Sequence, residues 1–153
     1  MHSEEQLAAI SSIHDLLADS RKDYEAASKR IPDERVHKLF HQISEDRALM
    51  EADLAKDIRH HGSIVLPGKG TVPGAIDRIL LGVRDAINST SEVNVLVECE
   101  RQESALLGRY DKVLDTHDLN EDTRAVLARQ QAQIAMNVAH VRILRKQLES
   151  VEH

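Results

Sequence analysis

The chain is poor in aromatic residues: its 153 positions hold two Tyr, one Phe and no Trp. Any core must therefore be built from aliphatic side chains, and with Ala, Leu, Ile, Val, Glu, Gln, Arg and Asp dominant this favours helices. Cysteine is almost absent. Cys99 has no partner for an internal disulfide, which agrees with a reducing compartment, and it reads as a small apolar residue on a helix. A basic excess is also lacking, since 20 Lys and Arg stand against 26 Asp and Glu for a net charge of -6. That balance argues against a nucleic acid or an anionic membrane as partner, because both reward a basic face. No apolar run approaches the roughly 18 residues that a membrane span needs. The opening Met1-His2-Ser3-Glu4-Glu5 lacks the basic and apolar regions of a secretory signal, so a cytoplasmic location is expected. Strand-like alternation, short repeats and low-complexity tracts are missing too. The expectation is one all-α domain over residues 1–153.

What is present is helical periodicity. Val36, Phe40, Ile43, Met50, Leu54 and Ile58 recur at steps of three and four, a seam that a helix presents to its neighbours in a bundle. The step missing between Ile43 and Met50 falls on Arg47, which places a charge at mid-height of a buried face. Before it, Ile10, Ile13, Leu17, Tyr24 and Ala27 mark a first helix over about 3–30, with Ser20 at the intermediate step. Pro32 disfavours helix at Ile31 and Asp33 is a good cap, so the second helix, about 34–61, starts after a short turn and runs antiparallel to the first. Gly62 is a natural stop. Pro67, Gly68 and Gly70 then mark a crossover loop, and Ile76, Ile79, Leu80, Val83 and Ile87 a shorter helix over about 73–88. Ser91 caps a helix to about 116 through Val93, Leu96, Val97, Leu107 and Leu114. The last helix, about 121–149, carries Leu127, Ile134, Val138, Val141 and Leu148 on one side.

Several of these inward stripes carry polar residues near the middle: Arg47 on the second helix, Glu100 and Glu103 on the fourth, and Gln130, Gln133, Asn137 and His140 on the last. An unpaired buried charge costs several kcal/mol, so the cluster Arg47, Glu100, Glu103, Gln133, Asn137 and His140 is expected to be mutually satisfied.

At these residues the sequence resembles the ferritin-like superfamily, and more closely its small bacterial five-helix members of unknown function. The resemblance spans about Leu7 to Leu148. It rests on Asp23-Tyr24-Glu25-Ala26-Ala27, on Leu39-Phe40 with Ile43-Ser44-Glu45-Asp46-Arg47, on Val97 to Glu103 with Tyr110, and on Ala139-His140-Val141-Arg142-Ile143. It implies a ferritin-like antiparallel four-helix bundle with one additional short helix after the crossover loop. Metal-binding members use a Glu on each of two helices and a Glu-x-x-His pair on each of the other two. Carried onto this chain, those pairs fall on Arg47-x-x-Met50 and Asn137-x-x-His140, the first-helix Glu falls near Leu17 or Ser20, and only Glu100, with Glu103, matches on the remaining helix. A cation at a ligand position opposes a nearby metal ion. The implied protein is a structural or interaction module whose dinuclear centre has been lost, with no cofactor expected and with Arg47 paired to Glu100 or Glu103 through its planar fork.

The alternative reading is a metal-binding or redox protein holding iron, manganese or copper on Glu100, Glu103 and His140, with His37 and His41 as an outer site. Glu34-x-x-His37 and Asp57-x-x-His60 with His61 sit beside their seams and are expected at the surface. No phosphate loop or nucleophile motif appears: Gly68-Lys69-Gly70-Thr71 lacks the upstream glycine and strand of a P-loop, and no Gly-x-Ser-x-Gly is present. Nothing marks an enzyme. Met136 and Ile143, off the inward stripe of the last helix, and Leu81 on the short helix are candidates for a contact between copies in a homo-oligomer.

Overall fold

In the computed structural model the structure describes residues 2–64 and 91–152. They form α1 (Glu4–Ser28), α2 (Glu34–His60), α3 (Glu92–Thr116) and α4 (Glu121–Glu152), with no strand among the described residues. The short helix expected over 73–88, the Gly-rich loop before it and Leu81 lie outside the described residues.

Local chemistry fixes the helix ends. Ser3 and Gln6 form a reciprocal capping box at the start of α1, and Asp33 accepts hydrogen bonds from the backbone N–H groups of Arg35 and Val36 to start α2. Ser91 accepts from Asn94 N at 3.2 Å at α3, and Asn120 from Thr123 N at 2.8 Å at α4. Gly62 stops α2. Its φ of 77° lets Gly62 N–H bond Arg59 O and Ser63 N–H bond Ile58 O, the paired closure of a Schellman end.

The helices form a four-helix bundle in the cyclic order α1, α2, α4, α3. Each adjacent pair is antiparallel, as the partners show: Ser44 of α2 meets Arg21 of α1 and Thr123 of α4 meets Asp57 of α2. Arg109 of α3 reaches Ser12 of α1, and Tyr110 of α3 meets Gln130 of α4. It follows that α2 and α3 stand on one diagonal and run parallel. The chain leaves α2 at one end of the bundle and enters α3 at the other, a separation of about 40 Å for a helix of 27 residues. This is the connectivity of a bundle with one long crossover.

The aliphatic core is split in two. One cluster gathers Ile10, Ile13, Leu17, Met50, Leu54, Ile58, Leu106, Tyr110, Leu127 and Ile134; the other gathers Tyr24, Val36, Phe40, Ile43, Val95, Leu96, Cys99, Val141, Leu144 and Leu148. The seams expected of α1, α2 and α4 are the buried ones. In α3 the buried face is rotated from the expected one: it is Val95, Leu96, Cys99, Gln102, Glu103, Leu106, Tyr110 and Val113, while Val97 is 46% exposed and Leu107 and Leu114 lie at the edge. The expectation followed the strongest hydrophobes and took too little account of the spacing. No described helix is long and apolar enough to cross a membrane.

Candidate functional site: a buried arginine and glutamate

Between the two apolar clusters each helix contributes a buried polar residue at the same level: Ser20 from α1, Arg47 from α2, Glu103 from α3 and Asn137 from α4. The three- and four-residue steps of the seams carry these positions inward whatever occupies them, so the charges are buried by their helices and must find partners there.

Arg47 is wholly buried. Its Nη1 donates to Ser20 Oγ at 2.7 Å and to Glu103 Oε2 at 3.1 Å, and its Nη2 donates to Glu103 Oε1, so the contact with the carboxylate is bidentate. Both Glu103 oxygens are engaged. The guanidinium carbon lies 5.8 Å from the centre of the Tyr24 ring, within range of a cation–π contact. Burial disfavours the charge on Arg47, but the adjacent Glu103 carboxylate outweighs it and holds the pKa above the ordinary arginine value. Burial, reinforced by Glu103, pushes the Tyr24 hydroxyl and the Cys99 thiol well up, so both stay protonated. A buried neutral thiol of this kind is inert.

A second layer sits further along the bundle, on residues two turns from Glu103 on α3 and from Asn137 on α4. Tyr110 OH donates to Gln130 Oε1 at 2.8 Å, and Gln130 Nε2 donates to Met50 O at 3.0 Å, tying α3, α4 and α2 together. Gln133, at the edge, donates to Asp46 Oδ2 at 3.3 Å and to Asn137 Oδ1 at 3.4 Å.

The polar cluster expected from the sequence is only partly assembled. Arg47 and Glu103 meet, Asn137 is buried at their level, and Gln133 reaches it from the rim. Glu100 does not join. It lies at the seam between α3 and α4, where Arg142 Nε at 2.7 Å and Arg145 Nε at 2.8 Å donate to it, and Arg145 also bonds Glu149. Burial would raise the Glu100 pKa, but these two arginines bring it below the ordinary carboxylate range. His140 is exposed on α4, one residue away from the buried Val141. Pairing of Arg47 with Glu103 is thus realised, and pairing with Glu100 is not. Among the described residues no group of three or more His, Cys, Asp or Glu side chains is arranged to hold a metal ion. The donors at mid-height, a guanidinium, a serine hydroxyl, one engaged carboxylate and an amide, do not fit a dinuclear metal centre.

The other histidines sit apart from this layer. His37 and His41 are exposed; the His37 ring lies against the Ser28 carbonyl and His41 pairs with Glu45 at 3.0 Å, so the two turn to different partners. His60 is exposed as expected, but Asp57 is buried, accepting from the Thr123 hydroxyl at 2.6 Å, and half-buried His61 lies 3.5 Å from Asp57 and 3.7 Å from Asp122. The sequence reading missed Ser20 as a partner of Arg47 and the bond from Tyr110 to Gln130. Spacing signals only that Ser20 and Tyr110 face inward, since both occupy seam steps, and not which partners they meet.

The model of the family described as "Domain of unknown function (DUF2383)" matches residues 5–116. The chain belongs to this family. The match contains α2, α3 and all of α1 but its first residue, and with them Ser20, Arg47 and Glu103, whereas α4 lies beyond it. No curated protein matches the chain.

Proposed function

We propose that this protein is a ferritin-like bundle of the cytoplasm that works as a non-catalytic structural or interaction module, its dinuclear metal centre replaced by an ion pair. The observation that carries this reading is the bidentate contact between Arg47 and Glu103 at mid-height of the bundle. A metal ion taking Glu103 would have to displace the guanidinium and leave a buried cation without its counter-charge, at a cost of several kcal/mol. The outward turn of Glu100 and His140 supports the reading further, as does the inert, protonated state of Cys99. In such a module the exposed faces meet other proteins or a second copy.

The test is metal analysis of protein purified without a histidine tag and then incubated with iron, manganese or copper. Substoichiometric metal is expected. Stoichiometric metal that is lost on Glu103→Ala or His140→Ala would overturn the reading in favour of a metal-binding or redox protein.

A further inference from the structure

The outer face of α4 carries a second seam. Asp122, Ala125, Arg129, Ala132, Met136, Ala139, Ile143 and Lys146 follow one another at alternating steps of three and four, and all eight are exposed. They lie opposite the buried residues Leu127, Ile134, Val141 and Leu148, so α4 is apolar on two sides. Met136 and Ile143 are each 55% exposed. The outward face of α1, by contrast, is mostly charged, with Glu4, Glu5, Lys22 and Glu25, and that of α2 sets a single large apolar residue, Leu49, among Glu34, Lys38, Glu45 and Lys56.

We infer that this seam binds the same seam of a second copy, antiparallel, about a two-fold axis that crosses the contact between Ala132 and Met136, at the level of Ile134. This rests on the reading of the bundle as an interaction module and names its partner. The argument is self-complementarity. In an antiparallel pair of helices each first-type seam position faces a second-type position of the other chain. Centred on Ile134, this sets Asp122 against Lys146, Ala125 against Ile143, Arg129 against Ala139 and Ala132 against Met136, each twice by symmetry. Every small residue meets a large one, and the acid at one end meets the base at the other. The stem of Arg129 can lie over Ala139 with its charged head in water. A parallel pairing loses all of this, since it sets Met136 on Met136, Ala132 on Ala132 and like charges on each other at both ends. Asp122 is free to serve: it approaches His61 at 3.7 Å but keeps a side chain 73% exposed. Lys146 and Arg129 make no ion pair among the described residues. The contact is about 37 Å long for 25 helical residues. That places it among small interfaces, with a dissociation constant on the order of 10 µM.

Sedimentation equilibrium across about 1–200 µM tests this. Wild type is expected to move from the monomer to the dimer mass over that range. Met136→Arg together with Ile143→Arg should leave a monomer throughout, with helix content and melting unchanged because both side chains are exposed. Asp122→Lys or Lys146→Asp alone should weaken the dimer roughly tenfold, since each sets like charges together twice. The two combined restore opposite charges and should return it to near the wild-type value. A monomer at all concentrations, a dimer that survives the Met136 and Ile143 changes, or a charge swap without recovery would overturn the inference. None of these readouts involves metal, so a failure here is separate from a failure of the proposed function.

Discussion

Glu100 and Glu103 stand one helical turn apart on α3, and both are held by arginine, yet their surroundings differ in almost every respect. Glu103 points to the centre and meets Arg47, itself wholly buried, across the diagonal of the bundle. Glu100 lies at the rim and meets Arg142 and Arg145, whose side chains remain 49% and 20% exposed. An ion pair in the interior cannot fall back on water if its partner is removed, whereas one at the rim can. The same chemistry therefore serves as a structural necessity in one place and as a modest surface contact in the other.

That contrast can be broken at several points. Removing one partner of the central pair, as in Arg47→Ala or Glu103→Ala, should lower stability by about 3–5 kcal/mol, read from urea unfolding. A loss below about 1 kcal/mol would mean that the freed charge reaches water, and the distinction from the rim would disappear. Next in size is Tyr110→Phe, which leaves the Gln130 carbonyl oxygen without its donor in a buried layer and should cost about 1–2 kcal/mol. At the rim, Glu100→Ala should cost under about 1 kcal/mol, and that small cost should shrink in high salt, whereas the effect of Arg47→Ala should not. Glu100 also sharpens the contrast through pH. Its folded pKa lies below the ordinary 4.5, so its contribution is complete above that value and fades as the pH falls through the lowered one. Wild type should lose more stability than Glu100→Ala on acidification below pH 4.5. The smallest change expected is the most telling. Arg47→Met combined with Glu103→Leu replaces the pair by aliphatic groups, and the double variant should melt within a few degrees of wild type or above it, despite the damage each position suffers singly.

Much of this architecture was legible in the spacing of residues, because seam periodicity depends only on which positions face inward. The interruption of the α2 seam at Arg47 was read correctly as a buried charge. The same pattern existed in α3, where Leu96, Cys99, Glu103, Leu106, Tyr110 and Val113 follow steps of three and four. Preference for Val97 and Leu107, stronger hydrophobes just off that line, turned the expected face and left Glu100 and Glu103 equally plausible. His140 was expected inside because Gln130, Gln133, Asn137 and His140 also follow steps of three and four, and the pair Asn137-x-x-His140 matched the spacing of metal-binding bundles. The α4 seam itself runs through Leu127, Gln130, Ile134, Asn137, Val141, Leu144 and Leu148, and passes His140 by. The partner of Arg47 on α1 was not readable from the first helix alone, since a serine at a seam step has no pattern that says which side chain it will accept from.

The diagonal bond between α2 and α3 has one more consequence. An aliphatic seam repeats itself nearly every heptad, so two such helices lose little contact energy if one slides past the other by seven residues. A slip of that size would set Arg47 beside Leu96 or Tyr110 and bring Glu103 against Phe40 or Leu54, two stranded charges in an oily interior. The ion pair thus acts as an index mark on an otherwise uniform scale: it removes the degeneracy of the packing and leaves one alignment in which the two helices can settle.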